Sequence, residues 1–310
     1  MRVLVTGVCG QLGSVVVRHL ALLPEVECIT GIDVVEPKQA LPSQVQFVKM
    51  DVRSPDLAKV MVGHDTIIHT AFVVLWPARM PAVVRDDINL NGTRNVAKSA
   101  AANRVRRFVH ASSTAAYDPN LLPGKTNLTE DFPIGTGDGA FYYSNGKAIA
   151  ERLVTGILGA SGTMLTLLRP VPIVGPSSAQ SLRTVRDTAA KILWHNPRVQ
   201  FAHEDDVATA FVQAARSEMP GAYNIAPDDF IRDRDIWKLL GMKWVPPMHW
   251  FVMAQYIRVR WQYFGAMTHP KWLGARMADS TVSNAKLKAT GWKPRYGTAE
   301  ALRSAAKSPS

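Results

Sequence analysis

Met1-Arg2-Val3-Leu4-Val5-Thr6-Gly7-Val8-Cys9-Gly10-Gln11-Leu12-Gly13 opens the chain, and its reading decides the fold. Arg2 to Thr6 is an apolar run without alternation, the pattern of a parallel strand covered on both faces. Three glycines follow, and Ser14 to Leu23 then carries apolar residues in a helical rhythm. A second run, Val26 to Ile32, ends on Asp33. Strand, glycine loop, helix, strand and acid, in that order, describe a dinucleotide site. Gly7 permits a tight turn off the strand, Gly10 lets backbone approach a pyrophosphate, and Gly13 lets helix and strand pack closely. The helix turns its unpaired amides and positive dipole end toward the phosphates. Asp33 can accept both hydroxyls of an adenosine ribose and would repel a 2′-phosphate. No Arg follows it directly to receive one, so NAD is expected rather than NADP.

Outward from this unit, strands and helices alternate. Val45 to Met50 reads as a third strand ending at Asp51-Val52, and Ser54-Pro55 opens a helix through Val62. Asp65 to Thr70 is a fourth strand closing on Ala71, a long helix is expected from Met80 to Asn103, and Arg107 to Ala111 is a fifth strand. A loop rich in Pro, Gly and Asp (Asp118 to Gly139) leads to a helix from Tyr142 to Leu158 and a sixth strand from Met164 to Pro170. This is an α/β chain with a doubly wound parallel sheet, a Rossmann fold. Ligands bind such sheets at the carboxyl ends of the strands, which places Gly7, Asp33, Asp51, Ala71, Ser113 and Arg169 along one crevice. Beyond Pro170 the pattern loosens into a smaller interleaved lobe. Its short runs are Val199 to Phe201 and Ala222 to Ile225, with helices at Ala189 to Trp194, Val207 to Arg216 and Met248 to Phe264 and a frayed tail from Ser304. The expected division is an NAD-binding domain over 1–170, joined by parts of roughly 198–225, and a mainly substrate-binding lobe over 171–310.

Composition narrows the classes. At 310 residues with 47% apolar residues, the chain can bury a large core. The net charge of +11 is scattered apart from Arg104 to Arg107 and the Arg258/Arg260 pair, so nucleic acid is not expected as a partner and association with a membrane surface is not favoured. Two cysteines, Cys9 and Cys28, build no disulfide framework, and no His, Cys or acid pair has metal-ligand spacing, so no metal is expected. The start lacks a charged region followed by an apolar core, and a cytoplasmic protein is expected.

Tyr143 and Lys147 sit four apart at the start of a helix and project from one face. A phenol with an ordinary pKa of about 10 is a poor base at neutral pH. A neighbouring ammonium stabilises the phenolate, which would make Tyr143 a usable proton donor and acceptor. At this spacing such residues most often form an exposed helical pair. Here the pair follows the fifth strand of a dinucleotide fold, after a hydroxyl cluster. Within that cluster Ser112, Ser113 and Thr114 compete, and spacing alone does not choose between them. A hydroxyl at the strand end could hold a substrate carbonyl or alcohol toward Tyr143.

Together these motifs resemble the extended short-chain dehydrogenase/reductase superfamily, in its NAD-dependent epimerase/dehydratase group. The likeness rests on Thr6-Gly7-x-x-Gly10-x-x-Gly13, Asp33, Asp51-Val52, His69-Thr70-Ala71, Asn91-Gly92-Thr93-x-Asn95, Tyr143-x-x-x-Lys147 and Leu168-Arg169-Pro170. It extends to Phe201 to Ala208 and Gly291 to Pro294. The resemblance implies Tyr143 as general acid/base, Lys147 as its partner and a contact of the nicotinamide ribose, and Ser113 as the substrate-binding hydroxyl, four residues before Tyr117. It implies cofactor contacts from Gly7, Gly10, Gln11, Leu12, Gly13, Asp33, Asp51, Val52, Ala71, Lys147, Pro170 and Ile173. Asn95 would be structural or hold a water for proton relay. A homodimer through the Met80–Asn103 and Tyr142–Leu158 helices is also implied.

The chain departs from the nucleotide-sugar members. No Asn follows Arg169 within Val171 to Val174, the Gly175 to Phe201 interval is short, and the last lobe is rich in Trp, Tyr and Phe with few acids. Aromatic stripes are more often core than pocket, yet an apolar ligand fits such a lobe more easily than a diphosphate sugar. The expected activity is NAD-dependent hydride transfer with a secondary alcohol or ketone as the small-molecule substrate. An epimerase or dehydratase with transient hydride transfer is the alternative, and a non-catalytic NAD-binding regulator a further one.

Overall fold

Seven parallel strands form the central sheet of the computed structural model, which describes residues 1–118, 122, 124–139, 141–178, 182, 186 and 189–307. They are β1 (Arg2–Thr6), β2 (Cys28–Asp33), β3 (Val45–Lys49), β4 (Thr66–His69), β5 (Arg107–Ala111), β6 (Met164–Pro170) and β7 (Gly221–Ile225), in the order β7-β6-β5-β4-β1-β2-β3. Thr6 lies beside Ile32 on one side and His69 on the other. The order therefore reverses between β1 and β4, the position at which sheets of this kind take their ligands.

The unalternated run of β1 has a direct cause. Val3 and Val5 join the core under α1 (Gln11–Leu20), while Leu4 joins the opposite core beneath the helices that follow β4 and precede β6. Both faces are dry, so both need apolar side chains. The helix Glu204–Arg216 packs beside α1 on one face, and Gly92–Ala102 packs beside Tyr142–Leu158 on the other. Two smaller cores draw mostly on the later chain. One gathers Val174, Phe201, Trp237 and Leu302, and the other gathers Ile192, Met253, Ile257 and Leu273.

Several boundaries differ from expectation. The helix α1 starts at Gln11, because the amide of Ser14 already reaches the Gly10 carbonyl. The expected Ser54–Val62 helix shortens to α2 (Leu57–Val60). The single long helix from Met80 to Asn103 is instead α3 (Ala82–Asp86), a π turn over Asp87–Asn91 and α4 (Gly92–Ala102). Within the π turn the buried Asn89 accepts a hydrogen bond from Val73 N at 2.6 Å and donates to Val73 O at 3.1 Å. Satisfying those two loop groups, which helix pairing cannot reach, accompanies the extra residue in the turn.

Tyr142–Leu158, here α5, and β6 have the expected limits. Ala189 to Trp194 is not a helix: Lys191–Ile192 pairs in parallel with Pro247–Met248, and a turn follows. The α6 helix (Glu204–Arg216) begins three residues before the expected Val207, with His203 capping it by accepting from Asp205 N. The aromatic helix α7 spans Trp250–Tyr263. The expected frayed tail is helical up to Lys307 in α8 (Thr298–Lys307), because Ala301, Leu302 and Ala305 are buried. Residues 308–310, most of 119–123 in the Asp118–Gly139 loop, and 179–181, 183–185 and 187–188 lie outside the described residues.

Candidate active site

Gly7 leaves β1 at φ +75°, a left-handed conformation natural to glycine. A Cβ there would also press on Ala71 at 2.7 Å. Gly10 is extended and carries the first helix-closing carbonyl. At Gly13 a Cβ would fall well inside van der Waals contact of the Gly7 carbonyl oxygen. Loop and helix are thus pressed together, leaving the first-turn amides of Gln11, Leu12 and Gly13 at the mouth. Gly13→Ala must displace loop backbone. The expected cost is about 1–3 kcal/mol, divided between stability and NAD⁺ affinity, as melting and titration calorimetry would show.

Asp33 ends β2 beside this loop. Its carboxylate accepts from Cys9 N at 3.0 Å and Val34 N at 2.8 Å, which fixes it while leaving acceptor capacity for ribose hydroxyls. Asp51 and Val52 follow β3. Asp51 is forked by Arg53, at 2.6 and 3.0 Å, which holds its carboxyl below the usual range. Val52 is buried against Gly92, with its carbonyl accepting from Asn95 at 2.8 Å; Asn95 also reaches Ser54 O. Of the two roles open to Asn95, these bonds are structural. Ala71 crosses over Gly7, and Pro170 and Ile173 lie at and just beyond the end of β6. The residues present fit a dinucleotide: a glycine cradle that a Cβ would fill, helix amides and a pinned acid.

Across the crevice, Ser113 caps a short turn by accepting from Ala115 N at 3.1 Å. Its side chain lies close enough to the Tyr143 phenol to lower that group's pKa. Ser112 points elsewhere, donating to Glu151 at 2.6 Å, and Thr114 donates to Pro170 O. The structure therefore brings Ser113, not Ser112 or Thr114, to the phenol. Lys147, buried one helical turn past Tyr143, donates to Ala111 O at 2.7 Å and lies 3.8 Å from the centre of the Phe72 ring.

The electrostatics differ from expectation. Enclosure among Phe72, Phe141 and Trp272 raises the Tyr143 pKa, and Ser113 offsets only part of the shift. Burial pushes Lys147 down to about 7, with Glu151 opposing that fall. The expected ammonium is itself destabilised, so it does not draw the phenol down here. This depressed lysine has a thermodynamic consequence. Between about pH 7 and its ordinary value near 10.4 the unfolded chain binds the proton and the folded chain does not, so stability rises with pH. The stability advantage of wild type over Lys147→Met should grow from pH 7 to pH 10 in parallel urea titrations.

Glu151, which the sequence reading overlooked, lies one further turn along α5. It is ion-paired with the buried Arg169, which also donates to Glu130 O at 3.0 Å. Arg169 was expected in the crevice, but its guanidinium is committed to these partners, because a buried charge demands a paired one. The four-residue spacing from Lys147 to Glu151 was visible as a helical stripe. Other residues at the site had no local cue. Trp272, from a short 3-10 segment (Pro270–Arg276), lies 5.0 Å from the Tyr143 ring and donates to the Tyr142 hydroxyl at 2.6 Å. Trp76 sits 4.2 Å from Tyr142, and the Arg85 guanidinium lies 4.1 Å from the Trp76 ring and 4.5 Å from that of Tyr142.

The histidines are framework. His69 bridges Thr6 at 2.7 Å and Thr93 at 2.9 Å, and His110 stacks on it. His203 caps α6 and stacks on Tyr296, which donates its amide to Asp206. Among the described residues no group of three His, Cys, Asp or Glu is placed to hold a metal.

A reversing parallel sheet, a glycine cradle and a pinned acid beside a Ser–Tyr pair define a dinucleotide-dependent α/β enzyme. Residues 3–226 match the NAD dependent epimerase/dehydratase family, and the chain belongs to it. It is an NAD-dependent enzyme of the extended short-chain dehydrogenase/reductase type. An uncharacterized Mycobacterium tuberculosis protein is 24% identical, over 97% of this chain and 82% of that one. The 3 beta-hydroxysteroid dehydrogenase/Delta 5-->4-isomerase of the same organism is also 24% identical, over 97% and 88%. The Thermus thermophilus UDP-glucose 4-epimerase, solved with NAD, superposes with a TM-score of 0.73 at 21% identity, over 99% of this chain and 98% of that one. That likeness concerns the fold.

Proposed function

We propose that this chain is a dehydrogenase or reductase that interconverts a secondary alcohol and a ketone on a largely apolar substrate. The nearness of the Ser113 side chain to the Tyr143 phenol carries the reading, since it puts two hydroxyls where one substrate oxygen could meet both. Bound NAD supplies the hydride acceptor or donor. Ser113 orients the substrate oxygen, Tyr143 exchanges its proton, and Lys147 holds the nicotinamide ribose. The ring surfaces of Phe141, Tyr143 and Trp272 support an apolar substrate over a sugar diphosphate. The lobe after residue 170 supplies Trp272 and would serve as the substrate lobe.

The family match also supports an epimerase or dehydratase, in which NAD ends each cycle unchanged. Absorbance at the reduced nicotinamide band separates the two. Sustained NADH formation with hydrophobic secondary alcohols, sterols included, is expected, and turnover of a nucleotide sugar without net NADH would displace the dehydrogenase reading. A regulator would bind NAD and turn over neither.

Ser113→Ala should lower kcat about 10²-fold or more. Ser112→Ala should keep turnover within a few-fold while costing about 1 kcal/mol of stability through the lost Glu151 bond. The reverse ranking would assign the substrate hydroxyl to Ser112. We also propose a homodimer through the outer faces of α4 and α5, which sedimentation equilibrium would detect.

A further inference from the structure

Helix α7 buries Met253 and Ile257 and turns the other way a strip containing Phe251, Val252, Tyr256, Val259 and Tyr263, which are 46–72% exposed. At 3.6 residues per turn these five fall within one broad outward face. Arg258 and Arg260 flank it from opposite sides, about 200° apart round the axis. Phe264 (75% exposed) extends the strip beyond the helix. At the other end, Trp250 is 44% exposed and Trp194 is 80% exposed. The Trp194 ring stands 5.7 Å from His249, the cap of α7, so it belongs to the same surface. Trp194 also has φ +62°, a left-handed conformation uncommon for a bulky residue.

Charge along this segment has one sign. Between Asp235 and Asp279 the sequence holds no acid but includes Lys238, Lys243, Arg258, Arg260, Lys271 and Arg276. Arg276 is paired with Asp233, whereas Lys238, Lys243, Arg258 and Lys271 are exposed, as is Lys191 on the strand beside Pro247. Exposed Trp, Tyr and Phe among cations, on a helix lying along the surface, suit the boundary between anionic headgroups and acyl chains. A 14-residue helix cannot cross a bilayer, and among the described residues no helix is long and apolar enough to do so.

We propose that α7, with Trp194, docks the protein on an anionic lipid surface with the helix lying in the membrane plane. This reverses the expectation from sequence, where Arg258/Arg260 alone gave too little reason. Sequence showed aromatics; the fold shows which of them face outward. The same helix reaches the site. Trp261 donates to Trp76 O, and Trp76 packs on Tyr142 beside the Tyr143 phenol. Docking would bring the site near a membrane-dissolved substrate, a consequence that rests on the apolar-alcohol reading. Lipid binding itself does not.

Flotation of the full-length protein with phosphatidylcholine vesicles, with and without phosphatidylglycerol, tests the proposal without any turnover measurement. Wild type should float with the anionic vesicles, more at low salt than at high salt, and only weakly with phosphatidylcholine alone. The exposed substitutions Trp194→Asn, Phe251→Ser, Val259→Ser and Tyr263→Ser, combined, should cut the bound fraction about tenfold or more. Arg258→Glu alone should reduce it at low salt. Unchanged circular dichroism and NAD⁺ affinity would confirm that the variants fold. Wild type remaining with the unbound protein, or folded variants floating as well as wild type, would overturn the proposal. So would a dimer that the combined substitutions dissolve in the absence of lipid binding, since a second copy would then cover the face. Dehydrogenase activity is measured separately, so either reading can fail alone.

Discussion

Tyr143→Phe should lower kcat by about 10²–10⁴-fold, the range spanned by positioned general acid–base groups, while NAD⁺ affinity stays within a few-fold. The phenol lies beside Ser113, and the ring keeps its packing against Phe72, Phe141 and Trp272 in the Phe variant. Stability should change by no more than about 1 kcal/mol, the value of one hydrogen bond. A large kinetic loss with little thermodynamic loss distinguishes a proton donor from a framework residue. Steady-state rates, NAD⁺ titration and urea midpoints on the same preparation give all three readings. Turnover within threefold of wild type would remove Tyr143 from the chemistry.

The largest effect on stability is expected at the buried Glu151–Arg169 pair. Both side chains are almost wholly enclosed, at 3% and 6% exposure. Glu151→Gln leaves Arg169 with a neutral partner, and Arg169→Met strands a carboxylate that also holds the Ser112 hydroxyl. Each single change should cost about 3–5 kcal/mol, the price of leaving a buried charge unmatched. Glu151→Leu combined with Arg169→Met removes both charges and should cost less than either single change, because desolvation is relieved with the attraction. Urea unfolding with unchanged m-values would measure the cycle. Additive losses would show that the pair is not coupled. Loss of Glu151 also removes the acid that favours charged Lys147, so the pH range of the lysine's titration should move lower.

Much of this site was legible from residue order. The first turn required glycines because a backbone reversal, an approaching phosphate and a helix–strand contact each exclude a side chain, and such demands leave a mark in local sequence. The structure shows the reversal in the left-handed Gly7 and the close contacts in the blocked Cβ positions at Gly7 and Gly13. Six strands of the sheet were readable for a similar reason: burial on both faces suppresses polar alternation. The limits of α5 and β6 matched because both have strong patterns and breaks at their ends.

What was not legible depends on the turning of side chains. Ser112 and Ser113 are adjacent hydroxyls on a strand end, and only the extended backbone at Ser113, with φ −165°, followed by its turn, aims one at Tyr143 and the other at Glu151. The π turn at Asp87–Asn91 has no composition of its own; it accompanies the bonding of Asn89 to Val73, a partner 16 residues away. The tyrosine's electrostatics were misjudged because spacing shows that Lys147 is near but not that it is dry. Burial removes the lysine's contribution.

The amino-acid order by itself determined the sheet, the glycine cradle, the choice of NAD and the helical Tyr143/Lys147 pair, because these obey short-range rules of sterics and periodicity. Tertiary structure alone decided which serine lies beside the phenol, which arginine is locked to a glutamate, that Trp272 packs against Tyr143 and that α7 shows its aromatic side to the outside. Those outcomes depend on which distant surfaces meet and exclude water.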